Sequence, residues 1–462
     1  MEVIPAPLTC QQRPVDCIRT RTCFIVDQRL DEGALQKALD QLIRHHWRKL
    51  GARLVPRPTD KLLEYHIPET FAAEYTLFHW SSSEDEEAFR RSASILDVPS
   101  GDHVCFLADE AEVDQIFMPS QWPLLHKAED PFLYVHITFS RNATAIATSL
   151  PHAIADQGGL AAIVKAWLGL LEGREPPPMV GYADDVLGEL KPYAEWPQEE
   201  VYRVGRAKVR ARFERFRVIL GFISNFITYR QDTSSILFLS RSLIKTLRER
   251  HSKLLEDKYG RTPGISDGDI ITAILTKFSC IVQAKPRTIC LSQAVNLRGR
   301  HPNLLDGKTD AWIHNGIHAA TARFRIDPST SVGEIAYQNR LAIDVAEDER
   351  DMEIGTVVTR EMVRRGQSIH VCEPWDTSYF VSNWCGIWRG LDFGGAVHGE
   401  KGGAAPDFLV IGRGTKPGSP LRFSASIMHR NDKGYYCDFA APVQGMALIK
   451  SYLEKDPMLE HF

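Results

Sequence analysis

Two residues able to move a proton sit four positions apart in residues 149–171, SLPHAIADQGGLAAIVKAWLGLL: His152 and Asp156. An unperturbed imidazole titrates at about 6.5, so a neutral His152 can take a proton from a weak nucleophile such as an alcohol. A carboxylate close behind it can anchor the turn that presents the ring. The spacing alone is unspecific, since among 16 histidines an H-x-x-x-D match is expected about once by chance. Other chemistries find less support. No H-E-x-x-H, no G-x-x-x-x-G-K-[ST] and no G-x-G-x-x-G after a strand occurs, which leaves metal and nucleotide chemistry without a motif. No serine or cysteine stands in a nucleophile-elbow pattern, so a covalent acyl-enzyme is not indicated.

The elements around His152 add weight. Residues 133–139 (LYVHITF) and 144–150 (TAIATSL) read as strands joined by a polar turn at 140–142, and a helix runs from the Gly158-Gly159 pair to about Leu171. Strand, turn and helix are a common way to present a reactive side chain at a sheet edge. Upstream, a helix follows Asp31 with apolar positions from Leu35 to Leu50 and a stop at Gly51, and 52–55 and 63–67 read as strands. Downstream, 235–239, 288–296, 378–382, 408–411 and 421–427 read as strands. Helices are expected over 242–255, over 266–277 with Ser266 or Asp267 as N-cap, from a Ser331/Glu334 capping box to about Asp344, and over 443–453. The expected fold is α/β, two sandwich-like lobes with a channel at their interface. The first lobe is 1–195 with the histidine, the connector is 196–232, and the second lobe is 233–462.

Composition bounds the rest. A chain of 462 residues is too long for one core. A net charge of -4 lacks the basic footprint that nucleic acid demands. The first twenty residues hold prolines and charges where a secretory signal needs an apolar run, and the nine scattered cysteines include no C-x-x-C pair. Both features point to a cytoplasmic chain of reduced thiols, working as a monomer. Residues 203–217 are basic and 218–229 apolar, too short a run to cross a bilayer. Two readings arise: a weak peripheral membrane contact that collects a greasy substrate, or an inter-domain helix with a buried apolar face and a solvated basic one. The second is preferred.

With these motifs in place, the chain resembles the BAHD family of acyl-CoA-dependent acyltransferases, in particular its fungal secondary-metabolite branch. His152-Ala153-Ile154-Ala155-Asp156 matches the family's H-x-x-x-D, and Asp392-Phe393-Gly394 the first three letters of its D-F-G-W-G. Asn296-Leu297-Arg298-Gly299-Arg300 is similar to its strand-end arginine segment, and Ser382-Asn383-Trp384 to its hydroxyl residue and tryptophan. Their order along most of the chain is that of the family. Gln157 departs from the glycine usual after the aspartate, and Gly395-Ala396 from the final tryptophan and glycine.

The resemblance implies a fold of two chloramphenicol-acetyltransferase-like domains. It also implies transfer of an acyl group, most simply acetyl, from acyl-CoA to a hydroxyl of a small secondary metabolite such as a terpenoid or meroterpenoid, without metal. His152 would be the general base, and transfer direct through a tetrahedral intermediate. Ser382 would donate to the oxyanion, with Trp384 adding its indole N–H or walling the channel. Asp156 would pair with Arg298 in a structural role, and Asp392 and Gly394 would be structural, Asp392 as an ion-pair partner. No residue stands out as a coenzyme A contact. The alternatives are a condensation-type enzyme using a carrier-protein thioester or an amine acceptor, and a catalytically silent binding scaffold of the same fold.

Overall fold

The strand that leads to His152, Thr144–Pro151, is buried along its whole length. Its mixture of small and β-branched side chains suits close packing on both faces of a central strand. Pro151 closes it at a position where no further ladder donor is needed. These features come from a computed structural model of the chain, which describes residues 1–462 except 99, 261–263, 306, 308, 370, 400–404 and 414–420, and leaves the side chains of 224–226 and 413 aside.

Among the described residues the strands form three sheets. In the first lobe a five-stranded sheet runs in the order Phe408–Arg413, Arg19–Val26, Thr144–Pro151, Tyr134–Phe139, His79–Glu84. The second lobe holds seven strands, in the order Ile317–Ile326, Arg287–Asn296, Thr377–Asn383, Ser424–Arg430, Gly434–Pro442, Asp232–Ser240, Val104–Asp109. A small sheet of Glu2–Pro5, Leu63–Ile67 and Arg53–Pro56 completes the set. Two large apolar clusters follow the two main sheets. The two-lobed α/β architecture expected from the sequence is the one the chain adopts.

Each main sheet takes an edge strand from the other half of the chain. Phe408–Arg413 pairs with Arg19–Val26, and Val104–Asp109 pairs with Asp232–Ser240. Division at 195 and 233 therefore does not partition the sheets. An edge strand paired more than a hundred residues away leaves no local signal, because pairing is set by whichever ladder is open and not by spacing in sequence.

Several elements differ in detail. The helix after Asp31 ends at Gln41, not near Leu50, and gives way to a π turn at Leu42–His46 before Trp47 leaves helical geometry. Ser266 forms a capping box with Asp269. Ser331 caps its helix, but Glu334 turns outward to Tyr259 and Lys258 instead of closing the box. The strand expected over 421–427 is Ser424–Arg430. In the connector, the helix Arg212–Thr228 rests on the second lobe through Val218, which packs with Cys290 and Cys372. Its large apolar residues Phe213, Phe216, Ile219, Ile223 and Ile227 face outward on the opposite side, an exposed apolar face that the preferred expectation did not include. No helix among the described residues is long and apolar enough to cross a membrane.

Candidate active site

His152 follows the last residue of its strand, where its backbone N–H donates to Ile18 O at 2.9 Å. Ile154 N–H then turns back to Pro151 O at 3.0 Å, which ends the extended backbone. The residue is half-buried. Its Nδ1 is enclosed without a hydrogen-bond partner. Burial lowers the imidazole pKa below 6.5, against smaller opposing effects of its own carbonyl, Asp156 and Asn315. A ring so placed is neutral at physiological pH, the form that accepts a proton.

Asp156 is the N-cap of the helix Gln157–Leu171 and accepts from Gly159 N–H at 2.8 Å. Its carboxylate also meets Arg298 from the second half of the chain, at 2.8 Å to Nη2 and 3.1 Å to Nη1, and accepts from Gly316 N–H at 2.8 Å. Both partners are buried. Arg298 donates further to His314 O at 2.7 Å and lies over the Trp312 ring. Asp156 thus has every lone pair engaged away from the imidazole, which leaves no dyad of the Ser-His-Asp kind. Glycine is required beside it. A Cβ on Gly158 would lie 2.5 Å from Arg298 Nη1, and one on Gly159 only 1.8 Å from Ile313 O. Gln157, where relatives of the family place glycine, starts the helix with ordinary helical backbone. Its side chain exchanges hydrogen bonds with Thr22 Oγ1 at 3.1 and 3.2 Å, so the departure introduces no strain.

Three residues that sequence reading did not single out hold this turn from the other lobe. His314 Nδ1 lies 3.2 Å from Ile154 O, Asn315 Nδ2 donates to His152 O at 2.9 Å, and Gly316 N–H reaches Asp156. Lys49, wholly buried, places its ammonium 3.0 Å from His314 Nε2. An ammonium can only donate there, so the His314 proton sits on Nδ1 and points at Ile154 O. Desolvation pushes Lys49 down to about 8 and holds His314 well below its usual range. The signal available in the sequence was weak: Asn315-Gly316 before a strand reads as a turn.

Ser382 lies near the end of Thr377–Asn383, opposite Ala294 and Ser426. Trp384 Nε1 donates to its Oγ at 2.8 Å, and Trp384 itself is buried in the first-lobe core. The indole N–H is therefore committed to the serine and not free to serve an oxyanion. The serine accepts at Oγ and keeps its own proton to donate elsewhere. No hydrogen bond among the described residues joins this pair to His152.

Asp392 and Gly394 sit away from the chemistry. Asp392 is exposed and accepts from Gly394 N–H at 2.8 Å, with no ion pair among the described residues, which corrects its expected role as an ion-pair partner. Its chain neighbour Phe393 is what anchors the segment, against Phe24 and Phe408. A Cβ on Gly395 would lie 2.8 Å from Glu172 Cγ, at the far end of the Gln157–Leu171 helix, so a tryptophan there has no space. Fifteen helical residues separate that end from His152, about 22 Å.

No protein-family model matches the chain. Among curated proteins it is 26% identical over 365 residues to the O-acetyltransferase PaAT-2 of Phomopsis amygdali, covering 71% of this chain and 72% of that one. To the acetyltransferase adrJ of Penicillium roqueforti it is 26% identical over 386 residues, 78% of this chain and 74% of that one. The crystal structure of F. graminearum TRI101 complexed with ethyl coenzyme A superposes with a TM-score of 0.71 over 98% of both chains, at 13% identity. The fold is thus that of the two-lobed acyltransferases. In sequence the chain is similar to fungal acetyltransferases, and in fold to the two-lobed acyltransferases that bind coenzyme A.

Two substitutions separate scaffold from positioning. Arg298→Met leaves the Asp156 carboxylate buried and unpaired, and is expected to lower stability by about 3–5 kcal/mol in urea unfolding. Asn315→Ala removes one hydrogen bond to the backbone of His152. It is expected to cost only about 1–3 kcal/mol in the same measurement while lowering kcat more than KM.

Proposed function

We propose that the chain is an O-acetyltransferase that moves an acetyl group from acetyl-CoA to a hydroxyl of a small secondary metabolite of the terpenoid or meroterpenoid kind. The observation that carries this reading is the state of His152: half-buried at a strand end, neutral by desolvation, and fixed by a turn whose carboxylate is occupied by Arg298. The names of the curated relatives support acetyl as the acyl group, and the ligand of the superposed structure supports coenzyme A as its carrier.

In the proposed reaction both substrates are bound together between the lobes. His152 takes the hydroxyl proton as the acceptor oxygen attacks the thioester carbon, and the C–O bond forms. The carbonyl oxygen becomes an oxyanion. Ser382 is assigned as its donor, since Trp384 occupies the Oγ lone pair and leaves the hydroxyl proton to be given. Collapse breaks the C–S bond and expels the thiolate of coenzyme A, which recovers the proton from the imidazolium. No acyl-enzyme forms.

The test is release of free coenzyme A from acetyl-CoA in the presence of hydroxylated terpenoid acceptors. His152→Ala is expected to lower kcat by roughly 10²–10⁴-fold with the melting temperature retained. Turnover by that variant at the parent rate would falsify the assignment of the base. The pH profile follows from the direction of the shift. Protonation removes the base, and the folded pKa lies below 6.5, so kcat should stay flat from alkaline pH down past 6.5 before its acid limb begins. An acid limb centred above 6.5 would show that another group, or a protonated His152, controls the rate.

A further inference from the structure

The helix Arg212–Thr228 carries apolar side chains on two opposite sides, and only one of them is used. Val218 and Gly221 are buried against the second lobe; a Cβ on Gly221 would meet Trp375 N at 2.7 Å. On the other side Phe213 is 71% exposed, Phe216 55%, Ile219 52%, Ile223 43% and Ile227 69%. At 3.6 residues per turn these five fall within an arc of about 120° along a helix about 25 Å long. Trp375, itself exposed and held in left-handed backbone, packs its backbone against Gly221 on the lobe-facing side, away from this arc. Scattered surface hydrophobics are ordinary, but a stripe of Phe and Ile along one helix face marks an interaction surface.

The charges around the stripe say what covers it. Residues 203–230 hold eight basic side chains and one acidic one, Glu214, in a chain whose net charge is -4. The first four basic residues are used internally: Arg203 and Arg206 pair with Asp351, and Lys208 and Arg210 with Glu373 and Glu214. Arg212, Arg217 and Arg230 are exposed and make no ion pair among the described residues. Arg212 stands at the start of the stripe, Arg217 along one border and Arg230 just past its end. An apolar arc edged by unpaired arginines fits the boundary between the acyl region and the headgroups of an anionic bilayer. A second copy of the chain would set arginine against arginine across a two-fold axis.

The buried side of the helix rests on the sheet face that leads to Ser382. Val218 rests on Cys290, whose strand partner is Ser378; two and four residues further on, the same sheet face carries Phe380 and Ser382. At about 3.3 Å per residue, the foot of the helix is about 13 Å from Ser382 along the strand. Phe380, between them, is partly exposed.

We propose that the exposed face of Arg212–Thr228 forms a peripheral membrane-docking surface that seats the protein on anionic lipid. The experiment is flotation of the full chain with vesicles of phosphatidylcholine and phosphatidylserine, and with phosphatidylcholine alone. The parent chain should float with the anionic vesicles and less so as salt is raised. Phe216→Asp combined with Ile223→Asp should lower that partition at least about tenfold, and Arg212→Glu combined with Arg217→Glu should lower it on anionic vesicles. Because these side chains are exposed, melting temperature and turnover of a water-soluble acceptor should stay at the parent values. Three results would overturn the proposal. One is absence of the parent chain from the floating fraction. Another is equal, salt-insensitive partition onto both vesicle types. The third is a dimer in sedimentation velocity that Phe216→Asp dissociates.

Discussion

The pair of Asp156 and Arg298 is the constraint on which the rest of the site depends. Taking two charges out of water costs several kcal/mol each, so the pair holds only because its geometry is nearly complete. Asp156 receives two guanidinium N–H groups and two backbone N–H groups, and it caps a helix whose N-terminal dipole favours a negative charge. Arg298 gains a carbonyl and an aromatic face. The approach is close enough to dictate sequence on both sides. Gly158 and Gly159 let the helix reach the guanidinium and the Ile313 carbonyl, and a Cβ on Gly316 would lie 2.4 Å from Trp312. The glycines after the aspartate serve contact between the lobes, not an unusual backbone angle.

This anchoring decides what His152 can be. The turn that carries it is stapled at His152 O, Ile154 O and Asp156 by consecutive residues of the other lobe. A carboxylate tied in that way cannot also raise the imidazole pKa strongly, so desolvation prevails and the ring is neutral. The same economy holds one layer back, where the buried Lys49 fixes the tautomer of His314, which in turn holds the turn. Each charge in this region orients a neutral group nearer to the histidine.

How much of this was legible in the sequence depends on the range of the interaction. The His152 strand, the helix behind it and the Ser266 cap are local, set by period and capping chemistry, and could be read directly. The helix after Asp31 was read too long because Leu42, Ile43, Trp47 and Leu50 keep a helical spacing. They are buried there in a π turn and a 3-10 turn instead. Asn315 and Lys49 were invisible. Their importance comes from partners more than a hundred residues distant, and their types are common in turns and on surfaces. The connector helix failed for another reason. A helix apolar on two sides reads as buried on hydropathy alone, and nothing in the sequence says that only one side finds a lobe to lie on.

The exchanged edge strands limit how substrates can reach the histidine. Opening the lobes like a hinge would pull on the segments leading to Phe408–Arg413 and Val104–Asp109, each held in its sheet by a ladder of five or more paired residues. Backbone hydrogen bonds lost to a dry cleft are expensive, and the buried Asp156–Arg298 pair would be split in the same motion. Domain opening is therefore a poor route. The buried pair therefore favours two lobes that stay together. Phe380 lies between the connector helix and Ser382, on the sheet face they share.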